Sequence, residues 1–297
     1  MGEYEERTHT TGPPRAAGDP ADALYPQQVA ASTRVASWRL TGGGITGSTN
    51  DDAIALARAG EPGGLVVLAS AQTGGRGRFE RGWDSPGGGA YISLLLRPDL
   101  TPRSVAALAP AAGLGVFRGL GSLLSGAGCE GAAEAGDVGE AGSPLRLKWP
   151  NDVRVRGRKL AGVLVESALV GQRVAWVVVG VGVNVRRVAD ADAGDRAFLE
   201  DLTAAGLDRC TVAAAVLDGL ASALATFEAG GFAALAVEYA EASDIVGSEV
   251  TLSDRAGLTI AAGTVTGFDD DARLLLETAG VSRSFESGEV TLRTAYT

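Results

Sequence analysis

Residues 145–167 read LRLKWPNDVRVRGRKLAGVLVES, and the fold turns on this stretch. It looks like two strands joined by a turn at Arg156-Gly157-Arg158, where glycine interrupts the run. Lys148-Trp149-Pro150-Asn151-Asp152 ends one strand and Lys159 starts the next. Downstream, VAWVVVGVGVNV (174–185) predicts a fully buried strand ending in polar residues. Upstream, LVVLASAQT (65–73) and AYISLLLRP (90–98) read as strands, and TRVASWRLT (33–41) as a first one. Helical spacing follows Asp52 in AIALARAG. Thr101-Pro102 opens a helix reaching about Leu124 and bent at Pro110, and another helical region covers about 211–242. Strands interspersed with helices make an α/β (α+β) domain.

Around this core the character changes twice. Residues 1–26 carry Pro, Gly, Thr and charge without periodicity, so a disordered leader is drawn over 1–32. Residues 125–143 hold little but Gly, Ala and acid, and read as a flexible acidic insertion. The main domain then spans 33–243. From 244 to 297 short strands broken by Gly and Asp (SEVTLSD, GTVTGFD, RLLLET, EVTLRT) predict a small all-β barrel.

Composition excludes several function classes. The 297 residues carry 26 basic and 36 acidic side chains, a formal charge of −10 that repels nucleic acid and anionic membrane. No stretch approaches the ~18 uninterrupted apolar residues of a membrane helix, and the N-terminus has no signal-peptide core, so a cytoplasmic setting is expected. With one histidine, His9, and two cysteines, Cys129 and Cys210, neither zinc nor haem nor histidine acid–base chemistry is expected. Only two of the 26 basic residues are lysines, Lys148 and Lys159, and only Asn50, Asn151 and Asn184 are asparagines. All five fall inside the motifs below. Since arginine's fork and lysine's compact ammonium are not interchangeable, a rare lysine marks a place where the fork does not serve.

Ser48, Thr49 and Asn50 precede a helix that Asp51 and Asp52 favour through its dipole. Capping explains one of the three; three in a row also present donors and acceptors to a compact polar ligand such as a ureido ring. The loop Gln72-Thr73-Gly74-Gly75-Arg76-Gly77-Arg78-Phe79-Glu80-Arg81-Gly82-Trp83 alternates glycine with arginine, which suits an anion approached by backbone N–H groups and clamped by guanidinium. A solvated basic loop is the plainer reading, and the pattern is not a P-loop. Trp83 offers a flat surface for a base or an apolar chain, or simply packs. Gly180-Val181-Gly182-Val183-Asn184 fails as a dinucleotide fingerprint because Val185 stands where the third glycine belongs; close packing of the strand against a ligand or helix fits better.

Taken in order, Ser48 to Asn50, the Gly-Arg-Gly-Arg loop (75–78), Lys148 to Asp152, Arg158 to Gly162 and Gly180 to Asn184 resemble the biotin protein ligases. The resemblance covers about 33–297, and Ser287-Gly288-Glu289-Val290 is similar to part of that family's SH3-like domain. Phe79-Glu80 departs from the family, which usually has a further basic or glycine residue there. The resemblance implies a mixed-sheet catalytic domain of the biotin/lipoate ligase type with a C-terminal SH3-like β-barrel. It implies that the biotin carboxylate attacks the α-phosphate of MgATP, and that a lysine of a biotin carboxyl carrier domain then attacks the adenylate. In that scheme Ser48, Thr49, Asn50, Gln72, Arg76, Gly77, Arg78 and Lys159 bind biotin. Arg78, Arg81, Trp83, Lys148, Asn151 and Asn184 bind the nucleotide. Lys159, Arg78 and Asp152 are the catalytic candidates, Asp152 either accepting the amine proton or helping to place Mg²⁺. Monomer and homodimer both remain open. A lipoate or octanoate ligase or transferase of related fold is the alternative enzyme, but those families usually carry a His-Asp run that this chain lacks. A transcriptional repressor or adenylate sensor is the alternative outside enzymes, opposed by the net charge and by Lys159.

Overall fold

The computed structural model describes residues 24–126, 144–188, 194–203 and 206–292. In chain order the first elements are α1 (Pro26–Ser32), β1 (Arg39–Gly42), β2 (Ile45–Thr46), α2 (Thr49–Arg58), β3 (Leu65–Ala69) and β4 (Ala71–Gln72). Then come β5 (Gly89–Leu96), α3 (Pro102–Val105), α4 (Leu108–Gly126), β6 (Leu145–Lys148), β7 (Asp152–Val155), β8 (Arg158–Val170) and β9 (Arg173–Asn184). The chain continues through α5 (Arg209–Gly230), α6 (Ala236–Ala242), β10 (Glu249–Ser253), β11 (Thr259–Phe268), β12 (Leu274–Thr278), β13 (Val281–Phe285) and β14 (Glu289–Leu292).

Seven strands form one sheet in the order β1-β3-β5-β9-β8-β7-β6. Only the β1–β3 pair is parallel, so the sheet is mixed, as the resemblance implied. Strand β9 shows how the sequence places the two faces. Period-two alternation sends Val177, Val179, Val181 and Val183 to the main core, alongside buried residues of α4 and α5. It sends Val178, Gly180 and Gly182 to the opposite face, where α2 packs with Ala53 and Ala57. The core side is filled by bulk; the α2 side is emptied by glycine. That asymmetry leaves room for a site.

The segments Pro102–Gly126 and Arg209–Gly230 are long and apolar enough to cross a membrane by composition, but 67% and 56% of their windows are buried inside the fold. They are core helices here.

Five features differ from the sequence expectation. The leader does not extend through 32: α1 docks, with Leu24 and Val29 fully buried, because two apolar side chains suffice to hold a short helix against α5. Residues 1–23, on which the rest of that expectation falls, lie outside the described residues, as do 127–143 of the expected insertion; Ser125 and Gly126 end α4. The first strand covers only Arg39–Gly42. The break in the helical region is at Ala106–Ala107, not Pro110, since Pro110 lies in the first turn of α4, where its missing N–H costs nothing. Residues 145–170 form three strands, because Lys148 and Asp152 pair directly across a tight turn.

The C-terminal unit is a five-stranded antiparallel sheet, β13-β12-β11-β10-β14, in which no closure into a barrel is present among the described residues. It packs on the main domain. The Trp149 indole N–H donates to Ala272 O at 2.9 Å, and Tyr239 stacks edge-on against Phe268 at 4.8 Å. Val250, Leu252, Val265, Leu274, Leu276 and Val290 belong to the same apolar core as the large sheet.

Candidate active site

A cavity of about 210 Å³ opens on the glycine-bearing face of the sheet. Its floor is Gly162, Gly180 and Gly182, and register explains the alignment: Gly162 pairs with Gly182 across β8–β9, and Leu164 with Gly180. A Cβ on Gly182 would lie 2.6 Å from Trp83 Cε2, and one on Gly180 would overlap the Asn50 amide. These glycines therefore admit an indole and an amide to the sheet itself, the close packing that the sequence suggested.

At one end of the cavity lie Ser48, Thr49 and Asn50, which the N-terminus of α2 brings in. All three are buried, with Ser48 as the cap. Gln72 accepts from the Thr49 backbone N–H at 2.8 Å and donates to Ser85 Oγ at 2.8 Å. Asn50 Nδ2 donates to Glu166 Oε2 at 2.7 Å, and its Oδ1 accepts from Ser93 Oγ at 2.6 Å.

The glycine–arginine loop is folded over the cavity as a small flap. Trp83 N donates to Gly75 O at 2.9 Å and Gly77 N to Arg81 O at 2.7 Å. Of its glycines, Gly75 is required by packing, since a Cβ there would lie 2.5 Å from Trp83 O. The left-handed residue is Phe79 (φ 58°), whose ring centroid lies 4.6 Å from the Arg78 guanidinium carbon and 5.1 Å from that of Arg255.

The two loop arginines part company. Arg76 is tied to Asp51 and, through Nη2, to both oxygens of Glu166 at 3.0 and 2.9 Å. Arg78 reaches only a long 3.5 Å contact with Asn151 Oδ1, and burial lowers its pKa below the ordinary arginine value. A half-buried guanidinium so weakly partnered has donors left to offer an anion. Arg81 is exposed and pairs with Glu289 of β14, Nη2 lying 2.9 Å from Oε2.

At the other end stand the two lysines. Lys159 Nζ lies 2.7 Å from Asp152 Oδ1 and 4.9 Å from the centroid of the Trp83 ring. Burial, then the neighbouring Arg154, lowers the pKa of Lys148. Burial raises that of Asp244, which sits 3.9 Å from Arg154 Nη1. Bringing a polyanion to Lys148 would relieve the crowding of positive charge.

Of the residues given a binding or catalytic role from the sequence, all line the cavity except Asn184. Asn184 is buried and donates to Lys159 O at 3.1 Å, so it braces the strand that carries the lysine. Trp149 lines the wall yet spends its indole N–H on the C-terminal sheet. Ser85, Ser93 and Glu166 were missed. A lone serine or glutamate carries no pattern; the β5–β9–β8 register, which sets Ser93 opposite Gly180 and Glu166 opposite Val178, reveals two of them, and the bond from Gln72 reveals Ser85. No cluster of three potential metal ligands is present among the described residues.

The family model described as "Biotin/lipoate A/B protein ligase family" matches residues 45–184. The chain is 34% identical to the biotin–[acetyl-CoA-carboxylase] ligase of Mycobacterium tuberculosis over 82% of its own length and 85% of the relative's. It is also 34% identical to the enzyme of that name from Paracoccus denitrificans, over 78% and 91%. Among solved structures, the biotin protein ligase of Aquifex aeolicus in complex with biotin and ATP superposes with a TM-score of 0.67 at 28% identity. That match covers 86% of this chain and 99% of the other.

Proposed function

The chain belongs to the biotin protein ligase family, and from that premise we propose how its cavity divides the work. The enzyme is an ATP-dependent ligase. The biotin carboxylate attacks the α-phosphate of ATP, forming the adenylate and expelling pyrophosphate. The amine of a carrier lysine then attacks the mixed anhydride; the C–N bond forms, the C–O bond to phosphate breaks, and AMP leaves with the amine's proton released.

The observation that carries this reading is the polarity of one cavity: an uncharged hydrogen-bonding end at Ser48, Thr49, Asn50 and Gln72, and a cationic end at Arg78, Lys148 and Lys159. The first suits a ureido ring, the second a carboxylate and phosphates. Lys159, held by Asp152, lies between carboxylate and α-phosphate and neutralises the charge that keeps nucleophile from electrophile. Asp152 orients Lys159 and offers the route by which the amine's proton departs. Arg78 closes over the adenylate, with Asn151 beside it; Trp83 flanks the acyl chain or the base. Gly77 supplies backbone at the flap's bend. Arg76 contributes through its backbone, its guanidinium being committed to Asp51 and Glu166. Arg81 reaches the triphosphate when it leaves Glu289, and Asn184 serves indirectly, through Lys159.

Mg²⁺ is assigned to the triphosphate. The cavity offers Asp152 and Glu289, each already held by a cation. These two carboxylates are the residues that would meet a hydrated Mg²⁺ arriving with ATP, and the ion would supply charge neutralisation to the leaving pyrophosphate. The carrier is assigned as a biotin carboxyl carrier domain, and the setting as cytoplasmic.

The decisive experiment is exchange of labelled pyrophosphate into ATP. Biotin should drive it, while lipoate and octanoate should not. Exchange with octanoate and silence with biotin would transfer the chain to the lipoate branch.

A further inference from the structure

We propose that Glu166, with Ser93 as its relay, is a positioning residue that sets which hydrogen-bonding face Thr49 and Asn50 turn toward the ligand. The proposal rests on the biotin reading and deepens it. Neither residue lines the cavity. Ser93 is fully buried on β5, and Glu166 sits on β8 beneath Asn50.

Hydrogens are scarce in this cluster. Glu166 receives Arg76 Nη2 on both oxygens and Asn50 Nδ2 at 2.7 Å, so it acts as an ionised, acceptor-only group. Asn50 must therefore give its NH₂ to Glu166 and its carbonyl to Ser93. That carbonyl ends a row of four oxygens: Gln72 Oε1, Thr49 Oγ1, Ser93 Oγ and Asn50 Oδ1, spaced 3.0, 2.8 and 2.6 Å. The two end atoms are carbonyls and bring no hydrogen; the two hydroxyls bring one each. Three gaps share two hydrogens, so with Ser93 turned to Asn50 the middle gap goes without one. Ser93 then gives its single hydrogen to Asn50 and Thr49 gives its own to Gln72 Oε1, which also holds the Thr49 backbone N–H at 2.8 Å.

Thr49 Oγ1 has thus given its hydrogen to Gln72, and its lone pairs await a donor. A ureido N–H is such a donor; an ester or ether oxygen at the same place is not. If Asn50 were reversed, its NH₂ would feed Ser93, Ser93 would donate to Thr49, and one of the lone pairs that Thr49 offers a ureido N–H would be filled. The charge on Glu166 forbids that reversal. Specificity for an N–H-bearing ring is therefore set one residue behind the residues that touch it.

Glu166→Gln keeps the shape and removes the constraint, because its end can present either oxygen or nitrogen to Asn50. In the full chain this variant should raise the biotin Kd, measured by calorimetry without ATP, about tenfold or more. The biotin KM in pyrophosphate exchange should follow, with the ATP KM and kcat within about threefold of wild type. Ser93→Ala should shift the biotin terms in the same direction, and Glu166→Asp, which keeps the charge, should recover part of the loss. An unchanged biotin Kd in Glu166→Gln would overturn the proposal. So would biotin and ATP KM values rising together with a lowered Tm, the mark of a merely structural role. Failure of the wild-type chain to bind biotin would instead overturn the biotin reading beneath it.

Discussion

Lys159 is held on two sides, by Asp152 at 2.7 Å and by the face of Trp83 at 4.9 Å, and this geometry suits a compact ammonium better than a planar fork. Lys159→Ala should slow adenylate formation by about 100-fold or more, as for other deleted donors that act on developing charge. Lys159→Arg should restore little of it. Single-turnover measurement of biotinyl adenylate checks both, and an alanine variant within twofold of wild type would reduce Lys159 to a structural residue. The two loop arginines give a contrasting pair. Arg76→Gly leaves Asp51 and Glu166 without their shared cation, so it should cost stability of about 1 kcal/mol, these groups being about a third or more exposed. Arg78→Gly removes no such pairing and should melt like wild type, yet release adenylate early and label lysines of bystander proteins. Thermal melts and biotin incorporation into an unrelated protein separate the two; the opposite assignment of phenotypes would refute the division of roles. Arg78 and Lys159 were legible in the sequence because clustering and scarcity marked them. Glu166 and Ser93 were not, since their roles arise from strand register.

At the scale of elements, the flap over the cavity is held by its own backbone and by one pair from Arg81 to Glu289 on β14. Arg81 holds the Glu289 carboxyl below its ordinary value of 4.5. A depressed carboxylate contributes stability that is present above its unfolded pKa and lost as pH falls through the folded one. The pair's contribution should therefore be full at neutral pH, begin to decline below about 4.5 and be lost only at the lower pH where the folded carboxyl takes its proton. Because both partners are substantially exposed, its worth is modest, and Glu289→Ala should open the flap only a few-fold. Limited trypsin digestion reads this directly: cleavage after Arg81 should quicken several-fold in Glu289→Ala at neutral pH. Equal rates in variant and wild type would mean that the backbone alone holds the flap. The strands β3, β5, β8 and β9 were legible because their apolar runs were long. The hairpin at Trp149 to Asn151 was not, because its few turn residues read equally well as the end of one strand. Helix α1 was missed for a related reason, its whole apolar signal being Leu24 and Val29 in a polar run.

Over the whole molecule, the cavity belongs to two units unequally. The uncharged end, Ser48 to Asn50 with Gln72, lies wholly in the main domain, whereas Gly288, Glu289 and Val290 of the C-terminal unit line the cavity with Lys148 and Arg81. The small sheet is seated through Trp149 to Ala272 and through Tyr239 against Phe268. Loosening that seat should therefore spare biotin binding and damage the step that needs ATP. A chain ended after Ser243 tests this at full strength, but it exposes Trp149 and Tyr239, now 2% and 0% exposed, and invites aggregation. Phe268→Ala is the gentler variant, since it removes one ring from the seat and leaves the five strands in place. It should cost on the order of 2–3 kcal/mol, Phe268 being partly buried. In this variant the biotin Kd should stay within about threefold of wild type, while the ATP KM rises about tenfold and pyrophosphate exchange falls with it. Equal losses on both ligands would mean that the small sheet supports the whole cavity rather than its phosphate end. Loss of biotin binding alone would place the ureido site under the C-terminal unit, against the geometry of Thr49, Gln72 and Glu166.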